Sequence, residues 1–466
     1  MFTKFLSQFT ATIAATVCAI SVGMIYGWTS PMIPYMTSEH SHVETTKREA
    51  EMLETDMMIG VFCGLPLTIY LVDKIGRKRL LLVAGCIALA GWITVAAANK
   101  MVYFHVARFF FGITANMCSV AAPMYVAEIA ESNIRGLLSS TFNFMMAIGL
   151  LIMYAIAPFT PFYTTSIIGI LICTLELVIL FSMPESPYYL LYINENKKAK
   201  ESLEYFRMHR EVDKELREMM KAVERQKCER GRIQDLVLVR SNRKAMLVMT
   251  ILNVGQNMVA ISVILMNLHP ILESAGSIYM SSSVAAILFA VITLISAYIA
   301  SLQVDKYGRK ALLLISSILS SLSLLSIAIY FHLKNNNFEL TSVSWLPTAA
   351  LMVYAATFKL GLGIVPVVMS SELFSAKVKA LGMSFADIMY VIGGIFSIQL
   401  YVWLSSWFGL HVPLYVFTVS GFVLALFVVC YIPETKGKTF EEIQYILKGE
   451  EFFTNTLLSQ QEDYIL

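Results

Sequence analysis

Charge is what this sequence lacks most. Only 15% of its 466 residues are Asp, Glu, Lys or Arg, where soluble globular chains carry about 25%. A set of two or three water-soluble domains is therefore excluded. The formal net charge of +2 is uninformative by itself, and no nucleic-acid partner is expected. The tripeptide Asn-x-Ser/Thr is missing throughout, so no N-glycan is expected. There is no glycine-rich phosphate loop, no His/Cys cluster at metal-ligand spacing and no nucleophile paired with a histidine in a recognisable motif. An enzyme is not expected, and neither is a cofactor or metal.

What is present is apolar length. Hydrophobic residues make up 57% of the chain and gather into runs of roughly 20 residues, the length that crosses a bilayer. Six runs fall between Phe9 and Met183, the second of them at Met57–Val72. Six more fall between Ala245 and Ile432, with the seventh at Ala245–Leu268 and the tenth at Trp345–Met369. The expected fold is an all-α membrane protein of twelve transmembrane helices. Its expected divisions are an N-terminal bundle (1–183), a linker of short cytoplasmic helices (184–243), a C-terminal bundle (244–432) and a cytoplasmic tail (433–466). The first run is longer than a signal-peptide core and is read as an uncleaved span.

The few charges are unevenly placed. Lys74, Arg77, Lys78 and Arg79 follow the second run, Arg135 the fourth, Lys306, Arg309 and Lys310 the eighth, and Lys377 and Lys379 the tenth. Many more cations crowd the linker, whereas the opposite loops hold few and include the acidic stretch Glu39–Asp56. The positive-inside rule then puts both termini in the cytoplasm. Six of the seven cysteines lie inside apolar runs and Cys228 in the linker, so no disulfide is expected. The linker stretch Asn196–Glu229 is rich in Glu, Lys and Arg and free of Pro and Gly. It reads as short helices acting either as a tether or as a latch beneath both halves.

The chain is also duplicated. Asp73-Lys-Ile-Gly-Arg-Lys78 recurs as Asp305-Lys-Tyr-Gly-Arg-Lys310, half a chain length later. In step with it, Glu128-Ile-Ala-Glu-Ser-Asn-Ile-Arg135 matches Glu372-Leu-Phe-Ser-Ala-Lys-Val-Lys379, and Pro184-Glu-Ser-Pro187 matches Pro433-Glu-Thr-Lys436. Three repeats in matching order, all at the charged ends of apolar runs, indicate two parallel six-span halves.

On these peptides, with Arg108 and Gly112, Pro123-Met-Tyr-Val-Ala-Glu128 and Arg135-Gly136, the chain resembles the sugar-porter family of the major facilitator superfamily over essentially its whole length. Thr29-Ser-Pro31 and the short N-terminus look most like the insect facilitated trehalose and glucose transporters. The resemblance implies sugar transport by alternating access in a fold of six plus six helices. Proton coupling in that family resembles a carboxylate in the first span, and none occurs here from Phe9 to Met36. Uniport of a hexose or trehalose is expected, by a monomer in the lipid bilayer of the plasma membrane. Carriage of another polar or anionic solute, with or without proton coupling, and a receptor that no longer transports are the alternatives.

Two groups of residues are expected to do the work. Asp73, Arg77, Glu128 and Arg135, with Asp305, Arg309, Glu372 and Lys379, are opposite charges at span ends, expected to pair as a cytoplasmic gate that parts when the mouth opens. In the seventh span, Asn253, Gln256, Asn257, Ala260 and Asn267 fall on one helical face. Amides offer both a donor and an acceptor, as sugar hydroxyls do, so Gln256, Asn257 and Asn267 are candidate sugar ligands. By position in the family, Asn143, Thr293, Trp28 and Tyr390 join them. Lys359 and Asp387 are unusual intramembrane charges, expected to pair between the tenth and eleventh spans; the rival reading puts Lys359 in the cavity against an anionic substrate. Glu176 is expected to be a paired structural residue. His269, His332 and His411 are expected at the outer membrane interface.

Overall fold

The computed structural model describes residues 6–39, 41–131, 135–208, 212–228, 233–374, 378–436, 438 and 440–448. Among the described residues, twelve helices are long and apolar enough to cross a membrane. The first six are Ser7–Met36, Arg48–Ile75, Arg77–Ala96, Met101–Ile129, Thr141–Phe159 and Phe162–Ser182. The second six are Arg240–Ala275, Ser282–Ala300, Arg309–Asn335, Thr341–Ser370, Leu381–Phe408 and His411–Tyr431. They are called spans one to twelve below. Phe181, Val178, Trp407 and Leu426 are exposed on their outer surfaces, as a helix facing hydrocarbon allows, since its backbone bonds are satisfied internally.

Local chemistry explains the boundaries. Span two begins nine residues ahead of the Met57 expected from hydropathy (57 − 48 = 9). Thr46 accepts the backbone N–H of Glu49 while Glu49 receives the N–H of Thr46, a capping box that starts the helix early. Glu54 is thereby carried into the bundle instead of lying in an acidic loop, and it is buried. Gly76 and Gly308, with φ of 97° and 87°, make the tight turns from span two to three and from span eight to nine. Only glycine takes such angles without strain. Spans two and four approach until their backbones almost touch: a Cβ on Gly112 would lie 2.1 Å from the Met57 carbonyl. Close contact over small residues is how helices associate where no hydrophobic force drives them together.

Spans seven and ten are each broken. In span seven, Ala260 has φ 69° and ψ 18°, and it separates Arg240–Met258 from Ile261–Ala275. In span ten the helix Leu346–Leu360 stops before Gly361 and resumes at Val365. The single amide-bearing face read along span seven is therefore interrupted, because 100° steps do not carry through the left-handed residue. Asn267 itself sits at a second irregularity, with φ −116° and ψ 20°.

The linker helices Pro187–Tyr192, Asn196–Phe206 and Asp213–Cys228 share a small core of their own around Leu190, Leu203 and Met219. That core is tied to the first half. Arg207 donates to the Ile129 carbonyl and pairs with Glu215 at 2.6 Å, and Ser7 donates to the Phe206 carbonyl. Of the two linker readings, these described helices fit a body fastened beneath one half. The face of the bundle they cover is called the linker face, and the opposite one the distal face.

Candidate functional site

The duplicated motifs build one structure twice. After each glycine turn, the next helix presents free backbone N–H groups, and a carboxylate from the far end of the same half accepts them. Glu185 takes those of Lys78 (3.0 Å) and Arg79 (3.4 Å), and Glu434 those of Arg309 (2.9 Å) and Lys310 (3.0 Å). A negative group there also meets the positive end of the helix dipole. Burial by itself would raise the Glu434 pKa, but backbone donors from Arg309, Lys436, Lys310 and Thr435 outweigh it and hold the carboxyl below its usual range.

Beside each cap lies an ion pair. Arg77 meets Glu128 at 3.0 Å, with Asp73 at 4.0 Å, and Arg309 meets Glu372 at 2.9 Å. Ser186 donates to Glu128, and Thr435 donates to Glu372 at 2.6 Å. Each network joins helices within its own half. The expected pairs of oppositely charged groups at Arg77–Glu128 and Arg309–Glu372 are therefore present, and each links helices of one half. The side chains of Arg135, Asp305 and Lys379 lie outside the described residues.

Between the halves lies a cavity with about 570 Å³ of empty space, including its open mouth. The first half supplies Tyr26 and Asn143, and the second supplies Thr293, Tyr354 and Lys359 against an apolar wall that includes Phe289. Asn143 is exposed and makes no hydrogen bond to a described residue. Thr293 donates to the Phe289 carbonyl and keeps its lone pairs. Such a site, mostly apolar with a few convergent polar groups, is the usual form of a small-molecule pocket.

On the distal side the halves are fastened together. Asn267 donates to Glu54 at 3.0 Å, Tyr154 to the Leu265 carbonyl at 2.6 Å and Gln399 to Thr55 at 2.5 Å. Ser30 lies 2.8 Å from His269 Nδ1 and accepts the backbone N–H of the same histidine. Behind this layer Arg108 is fully buried, donating to the Ile25 and Leu53 carbonyls and to Thr29, with the Trp28 ring 5.8 Å away. Ser30 of the Thr-Ser-Pro signature is thus part of the distal closure, and Thr29 accepts from Arg108 behind it.

The expected substrate residues separate accordingly. Asn143 and Thr293 line the cavity. Asn267 belongs to the distal closure. Trp28 is buried against Phe104 and Phe162 and does not line the cavity. Asn257 is occupied, donating to the Tyr390 carbonyl at 2.9 Å and accepting from Ser262 at 2.6 Å. Gln256 is nearly buried, and its amide bonds to no described residue. Tyr390 enters through its backbone oxygen. Tyr26 and Glu54 were not foreseen. Glu54 was counted with the loop charges, and the Thr46-to-Glu49 spacing was the signal that would have placed it inside.

Three further expectations are corrected. Among the described residues no ion pair joins Lys359 and Asp387. Lys359 turns into the cavity, while Asp387 is exposed. Glu176 meets no cation. It is buried beside the thiols of Cys18 and Cys118, and its Oε1 is unpartnered. His269 lies buried between the halves instead of at the membrane interface, because Ser30 and the edge of Tyr154 receive it.

Comparison with known proteins gives consistent findings. The family model described as "Sugar (and other) transporter" matches residues 16–447. The facilitated trehalose transporter Tret1 of Bombyx mori is 26% identical over 98% of this chain and 90% of its own length. That of Culex quinquefasciatus is 25% identical over 95% and 86%. Among solved structures, the proton:xylose symporter XylE of the major facilitator superfamily, bound to 6-bromo-6-deoxy-D-glucose, shares the fold. Its TM-score is 0.76 at 21% identity, over 95% of this chain and 100% of that one. The inward-open conformation of the xylose transporter from E. coli gives 0.77 at 20% identity, over 94% and 99%.

Proposed function

Because this chain belongs to the sugar (and other) transporter family, we propose that it is a uniporter moving a hexose or trehalose down its gradient by alternating access. The bundle sits in the plasma membrane as a monomer with the linker face in the cytoplasm. The observation carrying this reading is the asymmetry, among the described residues, of the hydrogen bonds between the halves. Hydrogen bonds fasten them on the distal side, next to a mostly apolar cavity that carries a few polar groups. That is the arrangement of an inward-facing carrier, and opening the distal layer would present the same cavity to the other side. The braces at Arg77–Glu128 and Arg309–Glu372 make each half stiff enough to rock as a body, with the bodies divided near 1–183 and 244–432. The lack of a carboxylate in span one supports uniport over proton symport.

The test is uptake of labelled glucose and trehalose into proteoliposomes holding the full chain, with and without an imposed proton gradient. Saturable uptake unaffected by the gradient is expected. Uptake that collapses with the gradient would replace uniport by symport, and absence of saturable uptake would refute transport of these two neutral sugars.

A further inference from the structure

Lys359 is the one charged side chain lining the cavity among the described residues. Its ammonium has neither an ion-pair nor a hydrogen-bond partner among them. Asp387, the acidic residue expected to neutralise it, makes no such pair. Lys359 lies in the last turn of the half-helix Leu346–Leu360, so the carbonyl end of that helix, worth about half a negative charge, offsets part of the penalty for placing a cation there. The three ammonium donors remain unused by the described residues. An ionisable side chain at membrane depth is expensive, and those that persist face a pathway and meet a partner in it. Here the protein supplies a hydroxyl at Thr293 and an amide at Asn143 to the same cavity, which suit a polyhydroxylated ring, and one cation with no counter-charge among the described residues.

We infer that the carried solute is an anionic sugar, a ring bearing a carboxylate or a phosphate, whose oxyanion is met by Lys359. This rests on the sugar-transport reading and specifies its substrate class. Lys359 thereby contributes most of the discrimination between anionic and neutral sugars, because a neutral ring would leave the cation buried and unpaired.

Proteoliposomes of the full chain, assayed with labelled glucuronate, glucose 6-phosphate, glucose, trehalose and lactate, decide the matter. At least one sugar anion is expected to enter saturably, at least tenfold faster than glucose or trehalose at equal concentration. Glucuronate and glucose 6-phosphate separate carboxylate from phosphate recognition. Lys359→Gln is expected to abolish the preference and Lys359→Arg to retain it. Faster entry of neutral sugars, or a preference that survives Lys359→Gln, overturns the inference and leaves neutral-sugar uniport standing. Lactate entering as fast as the sugar anions overturns the sugar reading along with it. If Lys359→Gln does not fold, the parent protein alone still answers: glucuronate should raise its melting temperature, weakening with salt, and stabilisation by glucose equal to that by glucuronate overturns the inference.

Discussion

Asn267→Ala should open the distal side. The amide is one of few polar links between the halves there, and its acceptor, Glu54 Oε2, is buried at 3.0 Å. A hydrogen bond to a carboxylate contributes about 1.5–3 kcal/mol. The contact belongs to the distally closed state, so its loss falls wholly on that side of the equilibrium. At about 1.4 kcal/mol per tenfold, the open-to-closed ratio should rise by roughly 10- to 150-fold. A cysteine introduced at Ser283, which with His269 lines a second pocket on the distal side, reports this through a rise in its rate of labelling by an impermeant maleimide. Arg77→Ala is the control. Its pair with Glu128 lies within one half, so it should lower the melting temperature and leave labelling unchanged. Labelling unaffected by Asn267→Ala, or accelerated equally by Arg77→Ala, would refute the assignment of these contacts to closure and brace.

Arg309→Ala should cost about 3 kcal/mol of stability, because Glu372 is left mostly buried without its cation; detergent melting measures it, and no change would remove the brace. Glu434 has a folded-state pKa below its unfolded one. Its stabilising contribution is therefore complete above about pH 4.3 and is lost as pH falls through the folded value. Glu434→Gln should melt below the parent at neutral pH, and the two curves should converge in acid. Ala260→Gly should stabilise the protein by about 1 kcal/mol by relieving a left-handed alanine. Gly361→Ala should destabilise it, since the added Cβ would lie 2.2 Å from the Leu312 carbonyl.

Much of the architecture was legible because bilayer physics writes it at low resolution. Twelve apolar runs, the cation bias and the copied DKxGRK peptides need no side-chain geometry to interpret. The site was less legible, for particular reasons. Helical periodicity assumed that span seven was continuous, and one residue, Ala260, ends that assumption. A hydropathy window trimmed span two and left Glu54 outside, although a short-range capping signal overrides hydropathy at a helix start. Lys359 and Asp387 were joined because opposite intramembrane charges usually find each other, but a pairing across spans depends on rotations that sequence spacing does not carry. The charged repeats were located correctly, yet which helix each one grips is a property of the folded half.

The caps at Glu185 and Glu434 bear on biosynthesis. Each binds a helix start more than a hundred residues upstream, so six helices are tied off by a residue that leaves the ribosome last among them. The first half can complete its internal knot of contacts once Glu185 and the short helices behind it emerge, while the second half is still unmade. A translation pause in the linker would then fall where one self-contained body already exists in the membrane and the next has not begun.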